Sequence, residues 1–190
     1  TDLSLSANLQ LAGFVHIEAG FDNEQPWREL QWLEQSCKQP FRSVAFIDIT
    51  QSPINFTLEL TKLSQFSSLV GVRYIFENTD IFKTLNNEQV LKNLQQLADQ
   101  QLLFELQMPF DNIEAVQLIC QLLTKLPNLT VIINHAGLPE PESESQFQQW
   151  QTVIKQFSQF NRCAIKCSGW EMQNRHYTLN CQQKVINHCL

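Results

Sequence analysis

Polar and ionisable side chains recur near the ends of short apolar runs in this chain, and they are the groups that could do chemistry. His16 and Glu18 stand near the end of the first run, and His135 closes the fifth. A histidine can serve as a neutral metal ligand, carry a proton or donate a hydrogen bond to a developing oxyanion. A lone histidine at a strand end is as often a structural residue, so the function of His135 depends on its surroundings.

Two basic residues fall in comparable positions. Arg73 could bind a substrate carboxylate through a bidentate pair of hydrogen bonds, or it could neutralise Glu105 or Asp48 within the fold. Lys166 has the same two alternatives, because a long basic side chain can fill an interior while it reaches a counter-charge. Glu18 and Glu105 are candidates for ligands, bases or ion-pair partners.

The apolar runs themselves predict the β-strands that position these groups. They cover residues 13–19, 43–49, 70–76, 102–107, 129–135 and 163–168. Their spacing of about thirty residues is the size of one βα unit. Apolar positions at helical spacing lie between them, over residues 27–37, 90–98, 113–123 and 147–157. Strict alternation without a hairpin signal predicts an α/β fold, a parallel sheet covered by helices.

The regular repeat favours a closed (β/α) barrel of the TIM type over a doubly wound open sheet. No glycine-rich phosphate loop follows any run, and polar residues collect at the run ends. Such a barrel has eight strands, and six are recognisable here. We therefore expect residues 1–190 to be one partial barrel domain with six of the eight βα units, strands two to seven.

Both ends of the chain carry helical patterns that lack a neighbouring strand. Residues 4–11 are predicted as the end of a helix, and residues 178–190 as a helix that precedes a further strand. An open six-stranded sheet would expose two unpaired edges, which favour aggregation. We expect the native protein to be longer at both ends.

Alternation of side chains along a strand assigns the polar groups to shared faces: His16 lies with Glu18, Glu105 with Gln107, and Lys166 with Ser168. Burying one charge without a partner costs several kcal/mol, so a polar group near the end of every run indicates a pocket rather than an accident of packing. Sites on this fold lie at the C-terminal mouth of the barrel. We expect His135 to be catalytic there. The predicted substrate-binding residues are Arg73, Lys166, His16 and Gln107.

Composition excludes several classes of partner. The formal charge is −6, with 43% hydrophobic and 17% charged residues, as in an ordinary globular domain. No apolar run is long enough for a membrane span, and no basic patch suggests nucleic acid. The cysteines form no CxxC pair. We expect a cytoplasmic protein that binds a small-molecule substrate, with neither a membrane nor nucleic acid as a partner.

Several segments resemble amidohydrolase family 2, a family of predicted metal-dependent TIM-barrel hydrolases that includes sugar-acid and pyrone-dicarboxylate lactonases. The stretch GFVHIEAGFDNEQPWRELQWLE resembles the family's second-strand segment. In family order follow GVRYIF, LLFELQM, LPNLTVIINHAGLP and CAIKCSGWE, of which NHAGLP is the most specific.

The resemblance implies a hydrolase that cleaves a lactone or a related small carboxylated substrate at the mouth of the barrel. His135 matches the histidine of the family's sixth strand, and Arg73 and Lys166 match positions that point into the substrate pocket. His16 and Glu18 match positions near the same mouth.

Two family features are absent from these 190 residues. The family's HxH pair belongs to the first strand and its water-activating aspartate to the eighth, so we expect this chain alone to be inactive. The cofactor stays open between a divalent metal such as zinc, with His135 and Glu18 as candidate ligands, and none. The alternatives are a non-catalytic barrel remnant that binds a small molecule or a protein, and a decarboxylase on the same scaffold.

Overall fold

The computed structural model describes residues 10–76 and 81–190. Six β-strands run through them. They are β1 (Phe14–Ile17), β2 (Phe41–Phe46), β3 (Leu69–Ile75), β4 (Leu103–Gln107), β5 (Val131–Ile133) and β6 (Cys163–Ile165). The strands pair in parallel and in sequential order, and the sheet curls into a half-barrel. The predicted parallel β/α architecture with six units is confirmed. The total of eight units stays an expectation about the whole protein.

Helices connect the strands and cover the sheet. They are α1 (Trp27–Ser36), α2 (Pro53–Leu63), α3 (Ile81–Leu85), α4 (Glu88–Asp99), α5 (Ile113–Lys125), α6 (Glu144–Phe157) and α7 (Leu179–Cys189). Each predicted helical stripe within the described residues has its helix. The helix expected over residues 4–11 lies, apart from its last two positions, outside those residues. Throughout 10–76 and 81–190, every helix is too short or too polar to cross a bilayer.

Helix α2 shows why these segments fold as they do. The Ser52 hydroxyl accepts a hydrogen bond from the Asn55 N–H, which caps the helix, and Pro53 suits the first turn. Phe56, Leu60 and Leu63 recur at helical spacing and are fully buried against the sheet. The same signals are present in the sequence, although α2 was not among the predicted stripes.

A buried amide ties a loop at the mouth to the helical layer. Asn93 of α4 is fully buried, and its Nδ2 donates to Ile49 O at 3.0 Å and to Gln51 O at 2.9 Å. Both acceptors belong to the segment that follows β2. Because a buried carbonyl needs a hydrogen-bond partner, Asn93 keeps this segment close to the sheet.

The last two strands are shorter than predicted. β5 ends at Ile133 and β6 at Ile165, whereas the apolar runs continue to residues 135 and 168. His135 and Lys166 therefore lie on loops beyond the strand ends. Their directions are set by turn geometry, and the strand alternation used in the sequence analysis does not apply to them.

Removal of a core ring should cost far more stability than removal of an exposed side chain from the same helix. Phe56 is fully buried, and Leu58 is 61% exposed. We expect Phe56→Ala to lower the free energy of unfolding by about 3–5 kcal/mol. Leu58→Ala should change it by less than about 0.5 kcal/mol. Urea titration of both variants checks this, and equal losses would contradict the assigned core.

Candidate functional site

An ion pair joins the ends of β1 and β3. Arg73 Nε lies 2.8 Å from Glu18 Oε1, and Nη2 donates to Oε1 at 2.5 Å and to the Glu18 carbonyl at 2.9 Å. The side chains are only 17% and 8% exposed. The sequence suggested Glu105 or Asp48 as the counter-charge, but in the fold it is Glu18. One edge of the Arg73 guanidinium is therefore already occupied.

A cavity of about 630 Å³ opens beside this pair. Glu18 and Arg73 lie on its wall with the rings of Phe46 and Phe76, and Asn23 lines it near the end of β1. This volume is within the range of small-molecule sites. Its mixture of apolar walls and a few polar groups could hold a small organic molecule.

The second polar cluster is built around a buried carboxylate on β4. Glu105 is 2% exposed; its Oε1 lies 2.5 Å from Lys166 Nζ, and its Oε2 accepts from Asn134 Nδ2 at 3.0 Å. Gln107 Oε1 is 3.5 Å from the same Asn134 nitrogen. The Lys166 side chain is 33% exposed. An ammonium group has three N–H donors, so Lys166 can donate to a ligand while it stays paired with Glu105.

The two clusters are neighbours in the sheet. Arg73 and Glu105 are register partners on β3 and β4, and Ile75 pairs with Gln107 one step further along. Adjacent strands lie about 5 Å apart. The fold thus brings Arg73, Lys166 and Gln107 to one end of the sheet, as predicted.

Asn134 is a site residue that the sequence analysis did not select. It is 2% exposed, and within residues 10–76 and 81–190 no hydrogen-bond partner reaches its Oδ1. Its position before His135 in NHAGLP was the available signal. A buried acceptor calls for a donor such as a water molecule or a ligand hydroxyl.

The chain turns left-handed immediately after β5. His135, Ala136, Gly137 and Leu138 have φ values of 53°, 53°, 69° and 56°. This conformation costs an L-residue about 1–2 kcal/mol, and three of the four are not glycine. Such strain persists only where surrounding contacts hold it, and it is concentrated at functional sites.

The imidazole of His135 has a defined tautomer. Its Nδ1 lies 3.2 Å from the carbonyl oxygen of Ser168, which can only accept. Nδ1 therefore carries a proton, and Nε2 of the neutral ring keeps its lone pair. In this form His135 can accept a proton or bind a metal. Only the protonated ring can donate from Nε2 to an oxyanion.

His16 does not join the other residues. Its Nε2 lies 2.5 Å from Glu29 Oε1 of α1, and it lines a separate cavity of about 490 Å³ with Phe21 and Trp32. The prediction that His16 and Glu18 share a face is wrong. His16 lies within β1, and the alternation of the strand directs its side chain toward the helical layer. Glu18 lies beyond the last strand residue, Ile17, so this alternation does not apply to it and its side chain turns toward Arg73.

The described residues do not fit a complete metal centre. Both carboxylate oxygens of Glu18 are engaged, Oε1 by Arg73 and Oε2 by the N–H of Gly20 at 2.8 Å. No group of three His, Cys, Asp or Glu side chains placed to hold an ion occurs among residues 10–76 and 81–190. His135 remains a candidate ligand through Nε2, and Glu18 is not available for that role.

Asp48 is similarly committed and is a poor candidate for a general base. Its Oδ1 accepts from both the N–H and the hydroxyl of Thr50, at 2.8 Å and 2.7 Å. The carboxylate thereby orders the turn after β2.

Two partly buried thiols are not activated nucleophiles. Burial, followed by the neighbouring Cys120, raises the pKa of Cys163 to about 11. Burial, together with Cys167, raises the pKa of Cys189 to about 12. Since the thiolate is the nucleophilic form, both side chains are protonated and inert at neutral pH.

Comparison with protein families identifies the scaffold. The sequence model of Amidohydro_2, described as amidohydrolase, matches residues 10–190. The chain belongs to this family. The resemblance noted in the sequence is thus confirmed, and the clustered polar groups lie where a β/α barrel has its mouth.

Individual relatives agree with this assignment. An uncharacterised protein, y4mH from Sinorhizobium fredii, is 26% identical over 187 residues, which cover 93% of this chain and 61% of that protein. An amidohydrolase from Burkholderia multivorans, solved with HEPES bound, has a TM-score of 0.77 at 11% identity, over 95% of this chain and 64% of its own. The chain thus spans less than two thirds of both proteins.

Two further solved structures share the fold. The Burkholderia multivorans amidohydrolase was also solved with zinc bound, with a TM-score of 0.77 at 13% identity, over 95% of this chain and 64% of that one. A probable 2-pyrone-4,6-dicarboxylic acid hydrolase from Acinetobacter baumannii, with citric acid bound, has a TM-score of 0.58 at 19% identity, over 93% and 62% of the two chains. At these identities the likeness establishes the fold alone.

Neutralising the Glu105 carboxylate should destabilise the protein more than the same change at the surface. Glu105→Gln replaces one carboxylate oxygen with an NH2 group. That group would face either Lys166 or Asn134, each of which donates a hydrogen bond to Glu105. Two donors would then oppose each other. We expect a loss of about 2–4 kcal/mol of unfolding free energy. Asp22→Asn, at the pair with the half-exposed Arg28, should cost at most about 1 kcal/mol. Chemical denaturation measures both, and a loss at Glu105 no larger than that at Asp22 would contradict its structural importance.

Proposed function

We propose that the whole protein is a hydrolase that cleaves a lactone, or a related small carboxylated substrate, at the mouth of its barrel. The observation that carries this proposal is the meeting of Arg73, Lys166, Gln107 and the His135 turn at the C-terminal ends of neighbouring strands. Membership in the amidohydrolase family supports a hydrolase over other enzymes on the same scaffold.

Each residue has a role in such a reaction. Lys166 and Gln107 donate hydrogen bonds to substrate oxygens, and Arg73 holds a polar group of the substrate in the cavity beside Phe46. His135 faces the reacting carbonyl. Water adds to the acyl carbon, the ring C–O bond breaks, and the released alkoxide takes a proton to give a hydroxy acid. The resemblance implies that the residue that activates the water is an aspartate in the eighth strand of the whole protein.

The metal question belongs to the whole protein. Zinc in the Burkholderia multivorans amidohydrolase is compatible with a metal-assisted reaction here, in which the ion would lower the pKa of a bound water. Among residues 10–76 and 81–190, the candidate ligand atom at the mouth is Nε2 of His135. A complete ligand set would need further side chains from outside these residues.

The His135 side chain should be essential for turnover. We expect His135→Ala in the whole protein to lower kcat for lactone hydrolysis at least about a hundredfold, as for the loss of a positioned proton-transfer group. His176, exposed in the loop before α7, provides the control, and His176→Ala should hydrolyse at the normal rate. Acid release from a panel of sugar lactones and pyrone dicarboxylates is followed with a pH indicator. Wild-type kcat in His135→Ala would reject the catalytic role.

A non-catalytic barrel that binds a small molecule is the second candidate. It is favoured by the pairing of both mouth cations, Arg73 with Glu18 and Lys166 with Glu105. The coding sequence of the whole protein separates the non-catalytic barrel from the hydrolase. A non-catalytic barrel predicts that the HxH pair and the strand-eight aspartate are absent from the whole protein as well. A decarboxylase would instead release carbon dioxide from a carboxylated substrate without net acid production.

The setting of this reaction is also a proposal. We infer a cytoplasmic protein whose partner is its small-molecule substrate, on the grounds of its ordinary composition and the lack of CxxC pairs.

A further inference from the structure

Outside the mouth, one buried tryptophan contacts the strained turn that carries His135. Trp150 of α6 is 3% exposed, and its indole Nε1 donates to the Ala136 carbonyl at 2.6 Å. The Trp150 ring stacks on Phe147 with centroids 5.1 Å apart, and the ring centroid of His188 lies 5.3 Å from that of Trp150. These neighbours fix the direction of the indole N–H.

The Ala136 carbonyl depends on this donor. Ala136 is fully buried, so its carbonyl cannot turn to bulk water without movement of the backbone. A buried carbonyl without a partner is unfavourable, and rotation of the Ala136–Gly137 peptide would be the simplest way to relieve it. That rotation changes ψ of Ala136 and φ of Gly137, so it would disturb the left-handed conformation at the centre of the turn.

Backbone hydrogen bonds hold the peptide groups on either side of the Ala136 carbonyl, but they do not involve that carbonyl itself. Ala136 N–H donates to Lys166 O at 2.9 Å, and Phe110 N–H donates to Gly137 O at 2.9 Å. The Leu138 N–H closes the turn on His135 O at 2.9 Å. The Ala136 carbonyl between them is held by Trp150.

The imidazole is confined on its other side by a glycine. A Cβ placed on Gly169 would lie 1.7 Å from His135 Nδ1, so the ring occupies the space that any other residue would fill. Gly169 itself has a φ of 91°. The ring thus has one position against the 168–169 backbone, and it keeps that position only while the turn keeps its shape.

We propose that Trp150 is a positioning residue: its indole N–H locks the left-handed turn and thereby sets the orientation and tautomer of His135. Trp150 does not touch the mouth; it acts through the Ala136 carbonyl. The effect on catalysis rests on the proposed role of His135, whereas the effect on the His135 ring does not.

The test removes the N–H and preserves the ring. Trp150→Phe is the simple variant. Replacement of Trp150 by benzothienylalanine, which has sulfur in place of the N–H group, keeps the shape of the indole and guards against a folding defect. Trp170→Phe is the matched control, since Trp170 is 3% exposed and its Nε1 has no partner within residues 10–76 and 81–190.

Nitrogen NMR of the histidine rings and steady-state kinetics of the whole protein provide the readouts. We expect both Trp150 replacements to shift the His135 ring signals toward a mixture of tautomers and to lower kcat about ten- to a hundredfold, with KM nearly unchanged. Trp170→Phe should change neither the His135 ring signals nor kcat.

The outcomes separate this inference from the proposed function. Wild-type His135 signals in the folded benzothienylalanine protein would overturn the positioning role, whatever the activity. Shifted signals together with wild-type lactone turnover would support the positioning role and would contradict the catalytic role of His135.

Discussion

The buried carboxylate of Glu105 is the interaction on which the mouth of this half-barrel depends. A carboxylate that is 2% exposed is stable only if it is paired and hydrogen-bonded, and Lys166 and Asn134 do this from the ends of the two following strands. Because Asn134 and Lys166 are the first residues after β5 and β6, their attachment to Glu105 also determines where both loops begin. One electrostatic requirement therefore links β4, β5 and β6.

The strained turn after β5 follows from the attachment of Asn134 to Glu105. With Asn134 anchored on Glu105, the chain must leave the strand at once, and it does so in a left-handed conformation that is unfavourable for three of its four residues. Hydrogen bonds that Trp150 and Phe110 donate to the turn, and one that the Lys166 carbonyl accepts from it, compensate for this cost. The side chain that gains a defined position is His135. Elements outside the mouth, α6 above all, thus contribute to the geometry of the site.

Much of the fold could be predicted because it follows from local pattern. Runs of Val, Ile and Phe at regular spacing, separated by amphipathic stretches, predict alternating strands and helices, and α1, α4, α5 and α6 appear where their apolar stripes lie. The grouping of Arg73, Gln107 and Lys166 also followed from their places near strand ends. His16 was misplaced because the alternation rule was carried past Ile17, where β1 ends.

The sequence by itself determined the parallel β/α scaffold, the family and the strand ends at which polar groups gather. These features follow from hydrophobic periodicity and from motifs that are contiguous along the chain. Only the tertiary structure decided the partners: Arg73 with Glu18, Lys166 with Glu105, and His16 with a helix rather than the mouth. Those pairings join residues 13 to 61 positions apart, and they depend on strand lengths and turn conformations that result from packing. The same holds for Asn134 and Trp150, whose importance comes from burial and from single hydrogen bonds that no local pattern encodes.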